Sequence, residues 1–277
     1  MLNNEIAYIN GKNSRDFGVF LIDGNIFDFP KRDVEFLNVP GRSGSLTIDK
    51  GRWDNIDITY TFAAYDKDAP TKLNAWKDFL LANTGYQKIE TSVEPDVYRQ
   101  GVYKDASSPR ISMLGGGGYM DVTFGCMPQK WLKANCEDDD RIDITNNLML
   151  HNPTNYDARP LLNVSAGDGG GYVQFDNYVH DNTTNIDYRI ARSKLTITPT
   201  NNMWIDCETG DAFKGTAIYT PYVQLTEGSE FPVISGQSKV IQNSSDFRKY
   251  ITDSYTYTLV NISNISTVYM FPRWWTI

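Results

Sequence analysis

Few side chains in this sequence have the types and spacing needed for acid–base or metal chemistry. The two histidines, His151 and His180, do not lie at spacings from a cysteine or carboxylate that are typical of a zinc site or a catalytic triad. The run Asp138–Asp140 lacks the alternating ligands, central glycine and distal glutamate of a calcium-binding loop. We therefore predict no catalytic residue, no metal site and no cofactor, and we expect that the protein is not an enzyme.

Glycine and cysteine motifs also indicate structure rather than catalysis. Gly115–Gly118 is not followed by the Lys-Ser/Thr pair of a phosphate-binding loop, and a strand pattern follows it, so we interpret it as a loop. Cys126, Cys136 and Cys207 are an odd number of cysteines without metal-ligand spacing. They are typical of reduced thiols in a protein that is synthesised in the cytoplasm.

Charge and hydropathy exclude two classes of partner. The 277 residues carry a formal net charge of -8 and no basic run, which is unfavourable for nucleic-acid binding because phosphate affinity requires clustered lysine and arginine. No stretch approaches the ~18 consecutive apolar residues that would span a bilayer, and the first residues do not resemble a signal peptide. We expect neither specific DNA binding nor membrane insertion.

The segment from residue 39 to residue 62 is the most informative part of the chain. Val39, Pro40, Gly41, Arg42, Ser43 and Gly44 form a glycine-rich arm. A short strand leads to Trp53, and Ile56, Ile58, Tyr60 and Phe62 then alternate with polar residues, as in a half-buried strand. Because the arm can bury little apolar surface of its own, we predict that it contacts a neighbouring chain.

The rest of the chain predicts two mainly β domains. Residues 1–132 form the first, with one α-helix at about 69–84, where the apolar period changes and Pro70 and Gly85 mark the ends. The polar, acidic residues 133–140 form a linker. Residues 141–277 contain short strands between turn residues, which is typical of an antiparallel β-sandwich.

Two segments of the second domain contain motifs that are specific enough to interpret. The stretch from Trp204 through Asp206 and Cys207 to Gly210 predicts a strand that enters a tight turn. Near the end, Arg273, Trp274 and Trp275 follow a last strand, and the two tryptophans should face opposite sides. We expect these seven residues to maintain the fold, and we assign no ligand to the motif around Asp206 and Gly210. The tryptophan that faces outward is a candidate for an interface or for sugar binding.

The order of three motifs along this chain resembles that of the distal tail (Dit) proteins of phages with long, non-contractile tails. The motifs are the Val39–Trp53 arm, the Ile-Asp-Cys-Glu-Thr-Gly turn and the Arg-Trp-Trp end. The resemblance implies an N-terminal ring-forming domain of β-sandwich type with an extended arm and a C-terminal galectin-like β-sandwich. It further implies that seven residues of the arm, 39–44 and 53, form the interface between subunits. It also implies a structural virion protein, a hexameric hub at the distal end of the tail that is synthesised in the host cytoplasm.

The partners implied by this resemblance are other virion proteins. They are five further copies of the chain, with back-to-back hexamers when purified, the tail tube protein, a tail-associated fibre or lysin protein, and a receptor-binding or other baseplate protein. DNA would pass through the ring without specific binding. The alternative is a carbohydrate-binding β-sandwich module or a glycosidase, in which exposed tryptophans such as Trp274 or Trp275 would stack on sugar rings.

Overall fold

The computed structural model describes residues 5–111, 116–133, 141–198, 200–214, 230–237 and 254–277. The chain separates into two compact units, the first ending at Lys130 and the second running from Trp131 to Thr276. The described residues are mainly β with one α-helix, so the predicted fold class is confirmed. Of the predicted linker, only Lys133 lies within the described residues.

The first unit is built around one large sheet. Its elements are β1 (Ala7–Ile9), β2 (Lys12–Asn13), a 3-10 turn (Ser14–Phe17), β3 (Phe20–Gly24), β4 (Arg32–Leu37), β5 (Leu46–Trp53), β6 (Ile56–Ala64), α1 (Ala69–Ala82), β7 (Gln87–Thr91), β8 (Val97–Ala106), β9 (Arg110–Ile111) and β10 (Gly118–Leu132). The sheet order is β2-β1-β7-β8-β10-β6-β3, with β9 paired to β10 and with β4 and β5 forming a separate two-stranded sheet.

The predicted alternation in β6 produces the centre of this sheet. β6 pairs with β10 in an antiparallel register that runs from Ala64 opposite Gly118 to Ile56 opposite Cys126. Ile58, Tyr60 and Phe62 are almost completely buried on one face of β6. Since side chains alternate across a strand, the polar residues between them face the other side of the sheet.

The helix α1 packs on this sheet through its apolar face. Its buried residues are Ala69, Leu73, Trp76 and Leu80. The Trp76 ring lies edge-on to Phe62 of β6, with ring centroids 5.5 Å apart. Asn83 is in an extended conformation and its side-chain amide donates to the carbonyl of Phe79 over 2.8 Å, which ends the helix two residues before the predicted 84. No helix in the described part of the chain is long and apolar enough to cross a membrane.

The second unit contains two antiparallel sheets. Its strands are β11 (Ile142–Asp143), β12 (Leu148–Leu150), β13 (Leu161–Ala166), β14 (Gly171–Asp181), β15 (Ile186–Ile197), β16 (Thr200–Asp206), β17 (Asp211–Lys214), β18 (Ser254–Ser263), β19 (Ile265–Phe271) and β20 (Trp275–Thr276). One sheet has the order β11-β19-β13-β16-β17 and the other has the order β12-β18-β14-β15.

Inward-facing side chains from both sheets of the second unit form one core. Val164, Ile205 and Met270 come from the five-stranded sheet, and Phe175 and Val260 come from the four-stranded sheet. All five are essentially inaccessible to solvent. Two antiparallel sheets that share a core in this way form the sandwich predicted from the strand pattern.

Candidate functional site

The strands β4 and β5 form a hairpin around the predicted arm. Leu37 pairs with Leu46, Phe36 with Thr47, Glu35 with Ile48, and Val34 with Asp49. Directly opposite residues share a face of a two-stranded sheet and neighbouring pairs alternate between faces. Phe36 therefore lies on one face, and Leu37, Leu46 and Ile48 lie on the other.

Apolar side chains are exposed on both faces of this hairpin. Phe36 is 65% exposed on the first face, and Ile48 is 42% exposed on the second, beside the exposed Leu37 and Leu46. Phe29, just before β4, is 72% exposed. An isolated two-stranded hairpin is marginally stable in water, and clustered exposed apolar residues mark contact surfaces. The geometry therefore makes the hairpin a candidate protein-binding surface.

Ion pairs hold the base of the hairpin together. Arg32 Nε lies 2.7 Å from Asp49 Oδ2, and Arg52 Nε lies 2.6 Å from Asp33 Oδ2. The hydrogen bond from Arg52, together with Lys50, holds the pKa of Asp33 below its usual value. The pKa of Asp49 is also lowered, by the backbone N–H of Gly51 and then by Arg32. These pairs connect the two strands at the base of the hairpin. The exposed apolar side chains near the turn take no part in them.

The predicted interface residues lie mostly in the turn that joins the two strands. The Arg42 N–H donates to the Val39 carbonyl over 3.2 Å, and Val39 is 38% exposed. Gly41 and Gly44 have φ values of +78° and +81°, with no atom of the described chain within 4 Å of an added Cβ. Within the chain these glycines therefore serve the left-handed turn conformation, while the close approach of a partner stays a prediction.

Trp53 lies at the far end of β5 from this turn. The guanidinium of Arg32 lies 5.1 Å from the centre of the Trp53 ring. This contact is a cation–π interaction within the hairpin. Trp53 therefore packs against its own hairpin. Most of the candidate surface is formed by exposed apolar residues near the tip, namely Phe36, Leu37, Leu46 and Ile48. The sequence analysis did not select these residues. Short apolar runs on both sides of a glycine-rich turn are a hairpin signal that could have revealed them.

The first unit also has an apolar groove of about 430 Å³. It is lined by Ile22, Ala63, Ala64, Tyr65, Arg110, Ile111, Gly117, Gly118 and Tyr119. Ile111 is 41% exposed there, and Arg110 lies over the Tyr119 ring. Gly116 and Gly117 lie outside any strand, as predicted, whereas Gly118 already begins β10 opposite Ala64 of β6. An added Cβ at Gly118 would meet Ile111 Cδ1 at 2.6 Å. The groove is a second apolar surface of the same unit.

In the second unit the predicted fold motif assembles around an ion pair. Arg273 Nη1 and Nη2 donate to the two carboxylate oxygens of Asp206 over 2.7 Å and 3.0 Å. Asp206 also accepts from the Glu208 N–H over 2.9 Å. Burial by itself would raise the pKa of Asp206, but the hydrogen bonds and charge of Arg273 and the backbone N–H groups outweigh it and lower that pKa.

The ion pair connects two parts of the second unit that are far apart in sequence. Cys207, next to Asp206, is buried. Gly210 has a φ of +77° and donates its N–H to the Asp206 carbonyl, which closes the turn before β17. Arg273 itself has a φ of +55°, which is unfavourable for a residue other than glycine. The geometry is that of a structural link between the β16–β17 turn and the segment after β19.

The tryptophans of the motif differ in their surroundings. Trp274 is 3% exposed, so its ring belongs to the core and cannot stack on a sugar. Trp275 is partly exposed, stacks on Tyr156 with ring centroids 4.5 Å apart, and donates its indole N–H to the Asp157 carbonyl over 2.9 Å. Trp204 packs edge-on to Tyr269. The described residues contain no cluster of three or more His, Cys, Asp or Glu side chains that could hold a metal ion.

This architecture is similar to that of a hub protein from a phage adsorption apparatus. The solved protein in question is Dit of phage SPP1, described as a paradigm of the hub adsorption apparatus in phages that infect Gram-positive bacteria. It superposes with a TM-score of 0.57 over 94% of this chain and 100% of that chain, at 12% sequence identity. At this identity the likeness shows a shared fold.

A second solved structure, the phage P2 baseplate in its activated conformation with Ca, contains a chain that is 10% identical, with a TM-score of 0.45. The alignment covers 98% of this chain and 97% of that one. No protein-family model matches the sequence. No curated protein sequence matches it either.

Proposed function

We propose that this chain is a distal tail protein, a structural and non-enzymatic hub at the distal end of a phage tail. The observation that carries the proposal is the β4–β5 hairpin, whose two faces both expose apolar side chains. The fold shared with the SPP1 hub protein supports the same role. A hub protein works by contacts with several partners, and exposed apolar surface of this kind marks contact sites.

The proposed assembly is a ring of six chains in which the first unit makes the contacts between subunits. Ring closure uses a heterologous interface, in which one surface meets a different surface of the next copy. The hairpin supplies one apolar surface, and the groove around Ile111 supplies the other. The net charge of -8 favours a channel through which DNA passes without binding, since like charges repel.

The second unit would project from this ring and serve as the attachment point for adsorption proteins. Its closed core and the Asp206–Arg273 pair give a rigid support. The ring itself would join the tail tube on one side and a tail-associated fibre or lysin protein on the other. The virion tail tip is the proposed location, after synthesis in the host cytoplasm.

The mass of the purified chain tests the assembly. Six chains of 31.4 kDa give six times 31.4, or about 188 kDa, and back-to-back rings give twice that mass. Native mass spectrometry should show one of these two species, and negative-stain electron microscopy should show rings with a central hole. A monomer at high protein concentration, with no rings in the images, would contradict the proposal.

A matched pair of variants tests the role of the hairpin. Replacing Phe36 and Ile48 with aspartate places a charge on each face of the hairpin and should convert the rings to monomers. The control is Met149→Asp, because Met149 is also 50% exposed but lies on β12 of the second unit. Rings that persist in the hairpin variant, or that are lost equally in the control, would argue against the hairpin as the subunit interface.

One observation favours carbohydrate binding as a second candidate function. On the four-stranded sheet, the His180 and Tyr255 rings lie 4.9 Å apart, and Tyr178 stacks on Tyr257 at 5.2 Å. Tyr255 is 38% exposed, and exposed aromatic rings beside polar groups can stack on sugars. Glycan-array binding that is lost in Tyr255→Ala and retained in Trp275→Ala would support this candidate, and a blank array would exclude it.

A further inference from the structure

Both histidines of the chain lie beside one exposed tyrosine on the outer face of the four-stranded sheet of the second unit. The Tyr255 ring is 38% exposed, and its centre lies 4.9 Å from that of His180 and 5.9 Å from that of His151. Tyr255 pairs with His180 and Tyr257 with Tyr178 in the β14–β18 register, so these side chains share a face. The side chains that alternate with them along β14 point into the core, among them Val173 and Phe175.

Two arginines of the edge strand β15 lie on the same outer face, next to one buried carboxylate. Arg192 is opposite Asp176 and Arg189 is opposite Tyr178. Arg192 Nε lies 2.5 Å from Asp176 Oδ1, and Arg192 Nη2 donates to Asp176 Oδ2 over 3.2 Å. Asp176 is only 2% exposed although it lies on the outer face. This bidentate contact fixes the Arg192 guanidinium at the surface.

Arg189 has hydrogen-bond donors that are still available. Its Nη1 lies 4.0 Å from Asp176 Oδ1, which is beyond hydrogen-bonding distance, and no other acceptor for this guanidinium is found in the described part of the chain. The Arg189 and Arg192 side chains are 48% and 47% exposed. A guanidinium presents its N–H groups in a planar fork that matches the oxygens of a carboxylate or a phosphate. The arrangement is therefore suited to an oxyanion from outside the chain.

The charges of β14 and β15 on this face favour an anionic ligand over a cationic one. They are three cations and two carboxylates, namely Arg189, Arg192, Lys194, Asp176 and Asp187. The Lys194 ammonium lies 4.1 Å from the centre of the Tyr172 ring, and Asp187 Oδ1 lies 2.8 Å from His180 Nδ1. The face is thus slightly positive in a chain whose net charge is -8.

Aromatic and polar groups alternate on this face over the length of a short oligosaccharide. Tyr255 offers a flat ring, with the His180 and Asp187 polar groups in the same row of the sheet. Arg189 lies two strands from Tyr255, or roughly 10 Å across the sheet. A few well-placed polar groups beside an aromatic surface are typical of small-molecule sites.

We propose that this face binds a short acidic oligosaccharide. One sugar ring stacks on Tyr255, and an oxyanion on a neighbouring sugar accepts hydrogen bonds from Arg189. Asp176 is a positioning residue that holds Arg192 beside this anion. The proposal rests on the carbohydrate-binding candidate described above and specifies the class of its ligand.

A glycan array that carries carboxylated, phosphorylated and neutral oligosaccharides, probed with the full chain, tests the site. Acidic glycans should bind, and calorimetry with the strongest of them should show a loss of about tenfold or more in affinity for Arg189→Gln. Tyr255→Ala should weaken the same binding. The carboxylated and phosphorylated arms identify which oxyanion is bound.

The matched control is Arg159→Gln, which removes the same charge from an arginine that is 53% exposed beside Glu208, next to the β16–β17 turn. It should keep the wild-type affinity, and an equal loss in this control would overturn the site in favour of unspecific attraction. Neutral glycans that bind as tightly as acidic ones would overturn the acidic ligand and leave the carbohydrate-binding candidate standing. A blank array would overturn both. Because binding is measured whatever the assembly state, a monomeric chain that binds acidic glycans would contradict the ring and still support this site.

Discussion

Replacing Asp206 with asparagine tests the ion pair that joins the two parts of the fold motif. The Asp206 and Arg273 side chains are 18% and 28% exposed, so solvent screens their interaction only in part. A hydrogen bond to a charged group contributes roughly 1.5–3 kcal/mol. Asparagine keeps one acceptor but loses the second and the charge, so we expect a loss of about 2 kcal/mol in the free energy of unfolding. This corresponds to a Tm lower by roughly 4 to 8 °C.

The pH dependence of this loss follows from the lowered pKa of Asp206. Because the folded pKa lies below its usual value of 3.8, the ion pair contributes its full stability above that value. The contribution disappears as the pH falls through the folded pKa, where Asp206 becomes protonated. The difference in stability between wild type and Asp206→Asn should therefore be constant from pH 5 to pH 7 and should shrink below pH 3.8.

Urea denaturation followed by tryptophan fluorescence, at a series of pH values, measures this difference. The matched control is Glu208→Gln, since Glu208 lies two residues away and its pair with Arg159, at 4.0 Å, is more than half exposed. That control should change stability by under about 0.5 kcal/mol. The reasoning would be refuted if Asp206→Asn were as stable as the control at pH 7, or if its deficit were unchanged at pH 3.

Four further outcomes are expected from the structure. In denaturation experiments, Arg273→Gly should lower the free energy of unfolding less than Arg273→Ala does. The reason is that glycine adopts the observed φ of +55° without the strain of roughly 1–2 kcal/mol that a Cβ causes in this conformation. Trp76→Ala should cost roughly 3–5 kcal/mol of unfolding free energy, because it leaves a cavity under α1. The Cys126 thiol, whose pKa is raised by burial to about 12, should be alkylated at pH 8 only after denaturation, as peptide mapping would show. Ile111→Asp should reduce ring formation in native mass spectra if the groove receives the hairpin, whereas Met149→Asp should not.

The sequence predicted those elements whose residues interact locally. The helix α1 follows from the apolar period through Leu73 and Trp76, and it forms where that period places it because residues three and four apart share a face. The strand β6 follows from strict alternation through Tyr60 and Phe62. Both patterns are local, so one stretch of sequence contains all the information that they require.

The candidate sites were predicted only in part, because they depend on contacts between distant residues. The sequence analysis selected the turn from Val39 to Gly44 but not the exposed apolar strands on either side of it. Whether Phe36 is buried or exposed depends on what packs over the hairpin, which a local pattern does not contain.

The sequence by itself determined the mainly β class and the position of α1. It also determined the residue types in the arm and in the two motifs of the second unit, from Trp204 to Gly210 and from Arg273 to Trp275. Only the tertiary structure decided that Asp206 and Arg273, 67 residues apart, form an ion pair, that Trp274 is buried, and that β4 and β5 present apolar side chains on both faces. The reason is physical. Periodicity specifies which side of an element is apolar, whereas burial and ion pairing are fixed only when long-range packing brings distant segments together.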